Sequence, residues 1–313
     1  MKFIILFLLF VTHSIAGAIS PFATLKTEGS ISDMVIAEGK IVVSTDEGRI
    51  NMFDVTTRKK LPSIALPKVK NSDGTSFIPK IYSMDYLAGT SAMVSESGRD
   101  FREVFLHKNG IITKVIDHTQ GLLIKKVRFL DAGHLLFGLS GDTIVLMDLE
   151  KKKLIYQVQA GGGVFGDMEL SPNKSLVAVG DEGGEITMIE TKSGRIIKTL
   201  RGINLDAINR LSYQQNTIMS AGHDRRVGVY RKEGSYFIDT GFFVYGVGLS
   251  PSTSRGVYTD GEENELQVID IATQKKISRL KGGEVIYDKL LFVDDHLLIG
   301  SGEENKIYYW RIP

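Results

Sequence analysis

The side chains best placed to do chemistry are six acids, Asp46, Glu96, Asp181, Asp224, Asp260 and Glu303, which recur along the chain at intervals of roughly 40 residues. Carboxylates spaced this way could converge on a central metal ion if the chain closes into a ring. Each one, however, stands in a short turn-like string, such as Thr45-Asp46-Glu47-Gly48 or Gly180-Asp181-Glu182-Gly183. Asp in such a string bonds its own backbone, and turn chemistry is the reading we expect. His107, His118, His134, His223 and His296 are scattered, without the spacing that puts two metal ligands on one face. Gly161-Gly162-Gly163-Val164-Phe165-Gly166 satisfies GxGxxG, but it follows a strand-like stretch, Leu154 to Gln159, and no helix pattern follows to receive a pyrophosphate. Ser140-Gly141 and Ser193-Gly194 read as turns rather than nucleophile elbows. With no cysteine in the chain, thiolate iron–sulfur ligation, covalent c-type haem, a lipidated Cys and disulfides are all excluded. The residues point to no catalytic group, no bound cofactor and no metal.

The elements that carry these turns are short strands. From Leu176 to Gly202 the chain reads as one four-stranded unit. Leu176 to Gly180 is apolar, Asp181 to Gly184 turns, Glu185 to Ile189 alternates, Thr191 to Gly194 turns again, and Arg195 to Leu200 returns. The turn after the second strand recurs seven times, at Thr45-Asp46-Glu47-Gly48, Ser95-Glu96-Ser97-Gly98, Leu139-Ser140-Gly141-Asp142, Gly180-Asp181-Glu182-Gly183, Gly222-His223-Asp224-Arg225, Thr259-Asp260-Gly261-Glu262 and Ser301-Gly302-Glu303-Glu304. Third strands end in an apolar residue followed by a polar one: Phe53-Asp54, Leu106-His107, Met147-Asp148, Ile189-Glu190, Tyr230-Arg231, Ile269-Asp270 and Trp310-Arg311. Abundant Gly (33) and scarce Pro (7) suit turn-rich strands. The pattern predicts an all-β fold, a seven-bladed β-propeller.

These strand ends resemble the WD-repeat family, most closely over Ser220-Ala221-Gly222-His223-Asp224-Arg225-Arg226-Val227-Gly228-Val229-Tyr230-Arg231. No blade keeps both the Trp and the Asp, and the upstream Gly-His pair of the family is missing. The last unit writes only three strands before Pro313, while Thr24-Leu25-Lys26-Thr27-Glu28-Gly29 has the pattern of outer strands such as Lys198-Thr199-Leu200-Arg201-Gly202. The N-terminal strand is therefore expected to complete the last blade and close the ring, removing an open edge.

Residues 1–18 read as a secretory signal peptide, with Lys2, the apolar run Phe3 to Val11, and small residues that place cleavage after Ala16 or Ala18. Residues 19–313 then form a single propeller domain, exported to the periplasm, with no stable membrane anchor after cleavage. The formal net charge is +1, and Lys2 is the only charged residue of the leader, so the remainder is neutral. A neutral chain lacks the basic face that captures nucleic acid. Arg58-Lys59-Lys60, Lys151-Lys152-Lys153 and Lys275-Lys276 follow third strands and read as solvated charge protecting edges.

The resemblance implies function as well as fold. WD-repeat proteins hold protein partners on the face formed by the loops entering the inner strands and by the turns between second and third strands. By position this picks out Tyr82, Lys125, Phe165, Tyr245 and Tyr287 at the strand entrances and Arg225 and Arg226 in a turn, residue types enriched at binding hot spots. A signal-bearing, cysteine-free chain of this kind also resembles the NapL-type accessory proteins of periplasmic nitrate reductases. The expectation is a non-catalytic scaffold or maturation factor, monomeric outside its complex, whose partners are periplasmic proteins such as nitrate reductase components. The alternative is a propeller enzyme, a metal-dependent lactonase-like hydrolase or a quinone-dependent dehydrogenase, with its site in the central channel.

Overall fold

The computed structural model describes residues 17–313. The apolar run Phe3 to Val11 and the possible cleavage point after Ala16 lie outside the described residues. Among the described residues, seven antiparallel four-stranded sheets follow one another along the chain. Blade 1 is built from Ile31–Ala37, Lys40–Thr45, Arg49–Asp54 and Lys60–Ala65, and blade 2 from Ile81–Leu87, Thr90–Glu96, Arg102–Lys108 and Ile111–Ile116. Blade 3 comprises Ile124–Asp131, His134–Leu139, Thr143–Asp148 and Lys153–Gln159, and blade 4 Phe165–Leu170, Leu176–Asp181, Ile186–Glu190 and Ile196–Leu200. Blade 5 comprises Ile208–Gln214, Thr217–Gly222, Arg226–Tyr230 and Tyr236–Asp239, and blade 6 Val247–Leu249, Arg255–Asp260, Glu265–Asp270 and Lys276–Leu280. Blade 7 has Lys289–Phe292, Leu297–Ser301 and Lys306–Arg311, and its outer strand is Ala23–Lys26 from the other end of the chain. A two-stranded hairpin, Val69–Lys70 with Ser76–Phe77, is inserted between blades 1 and 2.

Closure follows the expected register, with Ala23, Thr24, Leu25 and Lys26 opposite Tyr309, Tyr308, Ile307 and Lys306. The segment before this strand goes further than the sequence indicated. Ile19 makes a parallel bridge with Leu280 of blade 6, its N–H donating to Arg279 O at 2.8 Å and its carbonyl accepting from Lys281 N at 3.0 Å. The N-terminal chain thus ties the outer edges of blades 6 and 7 together.

The apolar-then-polar strand ends have a direct physical meaning. Phe53, Met147, Ile189, Tyr230, Ile269 and Trp310 are buried between blades. The acid that follows turns the chain: Asp54 accepts from Thr57 N, Asp148 from Lys151 N at 2.8 Å and Asp270 from Thr273 N at 2.7 Å. Trp310 also donates its indole N–H to Lys281 O at 2.9 Å, as a buried Trp requires. In blade 5 Asn204 is buried and donates to Asp224 Oδ1 at 3.1 Å while accepting from Ser220 and Tyr230. That network joins the turn, the second strand and the third-strand aromatic.

Because the strands alternate direction, the loops entering inner strands and the turns between second and third strands share one face. The turn acids work there. Asp46 Oδ1 accepts from Ser30 N at 2.8 Å, Asp224 Oδ2 from Leu205 N at 2.7 Å, and Asp181 Oδ1 from Gly183 N and Glu185 N, each at 2.9 Å.

Candidate functional site

The inner strands of blades 1 to 5 share an irregularity that shapes this face. Pairing with the second strand shifts between Ile31 and Asp33, Ile81 and Ser83, Ile124 and Lys126, Phe165 and Asp167, and Ile208 and Arg210. One extra residue is accommodated each time, a β-bulge that re-aims the side chains beyond it. Of the expected binding residues, Tyr82 and Lys125 are such bulge residues and line the channel mouth.

Beyond the bulge the side chains form a charged collar. Asp33 of blade 1, Lys126 and Arg128 of blade 3, Asp167 and Glu169 of blade 4, Arg210 of blade 5 and Asp288 and Lys289 of blade 7 surround a space of about 220 Å³. Four acids face four bases, and they are paired. Lys126 Nζ lies 2.8 Å from Asp167 and 3.3 Å from Glu169, Arg128 3.1 Å from Asp33, Arg210 2.6 Å from Asp288, and Lys289 2.7 Å from Asp288. Burial alone would raise the Asp33 carboxyl, but the charges of Arg128 and Lys126 outweigh it and hold it far below the ordinary range. Asp288 is likewise held down by Arg210 and Lys289 against its burial.

The collar also completes the backbone. An inner strand has a free edge facing the channel, and its N–H groups need acceptors. Asp33 Oδ2 accepts from Met84 N at 3.1 Å, Ser83 Oγ from Val127 N at 3.2 Å, Asp85 Oδ2 from Phe129 N at 2.7 Å, Asp167 Oδ2 from Leu211 N at 2.9 Å and Ser212 Oγ from Leu249 N at 3.0 Å. Each acceptor comes from an earlier blade and each donor from the next, so Asp33 and Asp167 of the collar, with Ser83, Asp85 and Ser212, bolt neighbouring blades together.

The expected binding residues separate into distinct environments. Tyr82 is half-buried beneath the Arg102 guanidinium, 3.6 Å from its ring centre, and Lys125 is exposed. Arg225 is exposed at φ +65°, at the turn tip. Tyr245 is half-buried and lines a shallow cleft of about 510 Å³ with Val164, Phe165, Ala207, Asn209 and His223. Three depart from the expectation. Tyr287 is fully buried, stacked edge-on to Trp310 at 5.4 Å and accepting from Gly283 N at 2.7 Å, so it is core and offers nothing to a partner. Phe165 is 7% exposed and its ring presses on Gly138, leaving only an edge at the cleft. Arg226 is held by its own blade, donating to Ile203 O at 3.0 Å and lying 4.2 Å over Phe237.

What the sequence reading missed is apolar. Leu123, Val164, Phe243 and Ile286 each stand immediately before the buried residue that enters an inner strand, and they are 43–47% exposed. Leu205, in the corresponding loop of blade 5, is 63% exposed. Together they form an arc on the channel-mouth face from blade 3 to blade 7. The signal was present as an apolar residue directly before Ile124, Phe165, Val244 and Tyr287, but two adjacent apolar letters do not say which of them faces the core.

One further pair of groups lies on this face. Asp142, in the second turn of blade 3, is 1% exposed, and burial together with the neighbouring Asp181 carboxylate pushes its carboxyl up to about 7. Elsewhere, Glu103, Asp117 and His118 converge on the outer edge of blade 2, but Lys114 Nζ sits 2.7 Å from Glu103 and 3.2 Å from Asp117, so a built-in cation already serves that cluster.

No protein-family model and no curated protein matches the chain. Among solved structures it is similar to the β-propeller domain of Cps50 (Swd1) from Myceliophteria thermophila, with a TM-score of 0.74 at 12% identity, covering 94% of this chain and 99% of that one. At that identity the likeness concerns fold, and the fold is a WD-repeat-like, seven-bladed β-propeller.

Proposed function

We propose that this chain is a non-catalytic protein-interaction scaffold whose docking surface is the channel-mouth face. The observation that carries the reading is the apolar arc of Leu123, Val164, Leu205, Phe243 and Ile286, one exposed residue from each of blades 3 to 7, on loops that rigid blades hold in place. Grouped exposed apolar residues rimmed by polar ones mark interaction sites, and preset loops bind with little ordering cost. The paired collar supports the same reading, because its bases and acids satisfy one another and the inner-strand edges instead of leaving a reactive group presented to the channel.

The setting we propose is the periplasm, reached by the leader in residues 1–18, with periplasmic proteins as partners. The finer assignment, an accessory factor for periplasmic nitrate reductase, rests on the resemblance of the sequence alone, and the comparisons with known proteins do not support it. A photo-crosslinking residue placed at Leu205 or Phe243 in cells tests the docking face. A discrete adduct there, absent from the same residue at outer-strand Ile111, supports it, and equal adducts at all three positions or none at all refute it. Fractionation with mass measurement of the mature N-terminus tests export, and nitrate reductase activity in a deletion strain tests the finer assignment.

A further inference from the structure

The second turn of each of blades 1 to 5 holds a residue with left-handed backbone, and in blades 1, 2 and 4 it is glycine: Gly48, Gly98 and Gly184, with φ of +66°, +70° and +79°. In blade 5 it is the exposed Arg225. Blade 3 places Asp142 there, at φ +53° and 1% exposed. Glycine would fit without strain, so this position bears a backbone cost and the cost of burying a carboxylate. It also sets two like charges together. A methyl group built on Gly161 would lie 2.5 Å from Oδ2 of Asp142 and 2.9 Å from Oδ2 of Asp181, so both oxygens face one point. Asp181 is 7% exposed, and its Oδ1 is already used by Gly183 N and Glu185 N. Asp142 Oδ1 is buried with no hydrogen-bond partner at all. The base whose charge reaches Asp181 is Arg201, which is exposed and bound to Glu185 Oε2 at 2.9 Å.

A buried carboxylate whose Oδ1 is unpartnered and whose Oδ2, reached by the Gly161 backbone alone, lies beside a second carboxylate is a ligand set without its cation. Gly161 lies against the pair, and a side chain there would press on both carboxylates. We propose that Asp142 and Asp181 bind a calcium ion between blades 3 and 4, beside Gly161. Ca²⁺ suits the donors: it takes oxygen ligands in irregular geometry and completes its shell with water, where Mg²⁺ demands a near-ideal octahedron. The bound ion cancels the repulsion between the carboxylates and staples the second turn of blade 3 to that of blade 4, beside the cleft lined by Val164 and Phe165. This GxGxxG string therefore lies beside a cation and not a phosphate.

The test uses the full protein, freed of metal with EDTA in mildly alkaline buffer at constant ionic strength and titrated with CaCl₂. The expected result is a saturable rise in Tm and about one Ca²⁺ per chain by calorimetry, complete by about 10 mM, above the range of weak extracellular sites. In Asp142→Asn the calcium response disappears, while its Tm in EDTA equals or exceeds that of the wild type, since the like-charge pair is gone. Gly161→Ala keeps both carboxylates and also loses the response, because its Cβ presses the two ligand oxygens out of place. A wild-type Tm that is the same in EDTA and in CaCl₂, or an equal calcium response in Asp142→Asn, overturns the proposal.

Discussion

Joining the chain's two ends covalently puts the closure of the ring on a quantitative footing. Thr27 N donates to Asn305 O at 3.0 Å, and Lys26 stands opposite Lys306. Hydrogen-bonded and non-hydrogen-bonded pairs alternate in an antiparallel ladder, so Lys26 and Lys306 form a non-hydrogen-bonded pair with Cα atoms about 4.5 Å apart. That separation falls within the range a disulfide spans. The double variant Lys26→Cys/Lys306→Cys encloses about 280 residues, for which loop-closure entropy gives a ceiling of about 5.5 kcal/mol, with about 2–4 kcal/mol realised in practice. The unfolding entropy of a chain this size is about 0.6 kcal/mol per degree, so the oxidised form should melt about 3–6 °C above its own reduced form. With no native cysteine, mispairing within the chain cannot occur. The Lys306–Glu304 ion pair lost with the substitution is a partly exposed contact of 3.4 Å and contributes little. Melting with and without reductant, with the bond verified by mass, decides the matter. A disulfide that does not form, or one that forms and leaves the Tm unchanged or lower, refutes the register.

Three further outcomes are expected. Arg128→Met removes the base that holds Asp33 and leaves a buried charge uncompensated, costing about 3–5 kcal/mol at neutral pH by urea unfolding. Because the folded-state carboxyl of Asp33 lies below its unfolded value, its stabilisation is present above about pH 4 and lost as the pH falls below that, so the gap between wild type and Arg128→Met should narrow in acid. Tyr287→Phe loses the bond from Gly283 N and should cost about 1 kcal/mol, measured by chemical unfolding, while leaving any crosslink at Phe243 intact, since Tyr287 is core. Leu205→Ser with Phe243→Ser should change stability by less than about 0.5 kcal/mol per site and abolish crosslinking from a probe at neighbouring Ile286.

Much of the ring was legible in one dimension because its determinants are local and repeated. A buried apolar residue followed by a turn-forming acid, as in Phe53-Asp54 or Ile269-Asp270, is visible in two letters, and seven copies fix the blade number. The terminal strand was legible for the same reason, since Thr24 to Gly29 copies the outer strands of other blades. Tyr287 was misplaced because position relative to a strand entrance does not tell burial. Its ring points inward to meet Trp310, more than twenty residues further along the chain. Arg226 had the right face and the wrong freedom, its guanidinium already committed to Ile203 and Phe237.

By itself the sequence determined the strands, their turns, the number of blades and the strand that closes them, all properties of hydrophobic period and turn chemistry within stretches of some forty residues. The tertiary structure decided the collar, the apolar arc and the Asp142–Asp181 pair. Asp33 finds Arg128 and Arg210 finds Asp288 only because seven blades bring residues from distant parts of the chain around one axis. A bulge at each inner-strand entrance, from blade 1 to blade 5, then sets which of two adjacent side chains meets water. No alternation rule read along the chain carries that information, because a one-residue insertion exchanges inside for outside.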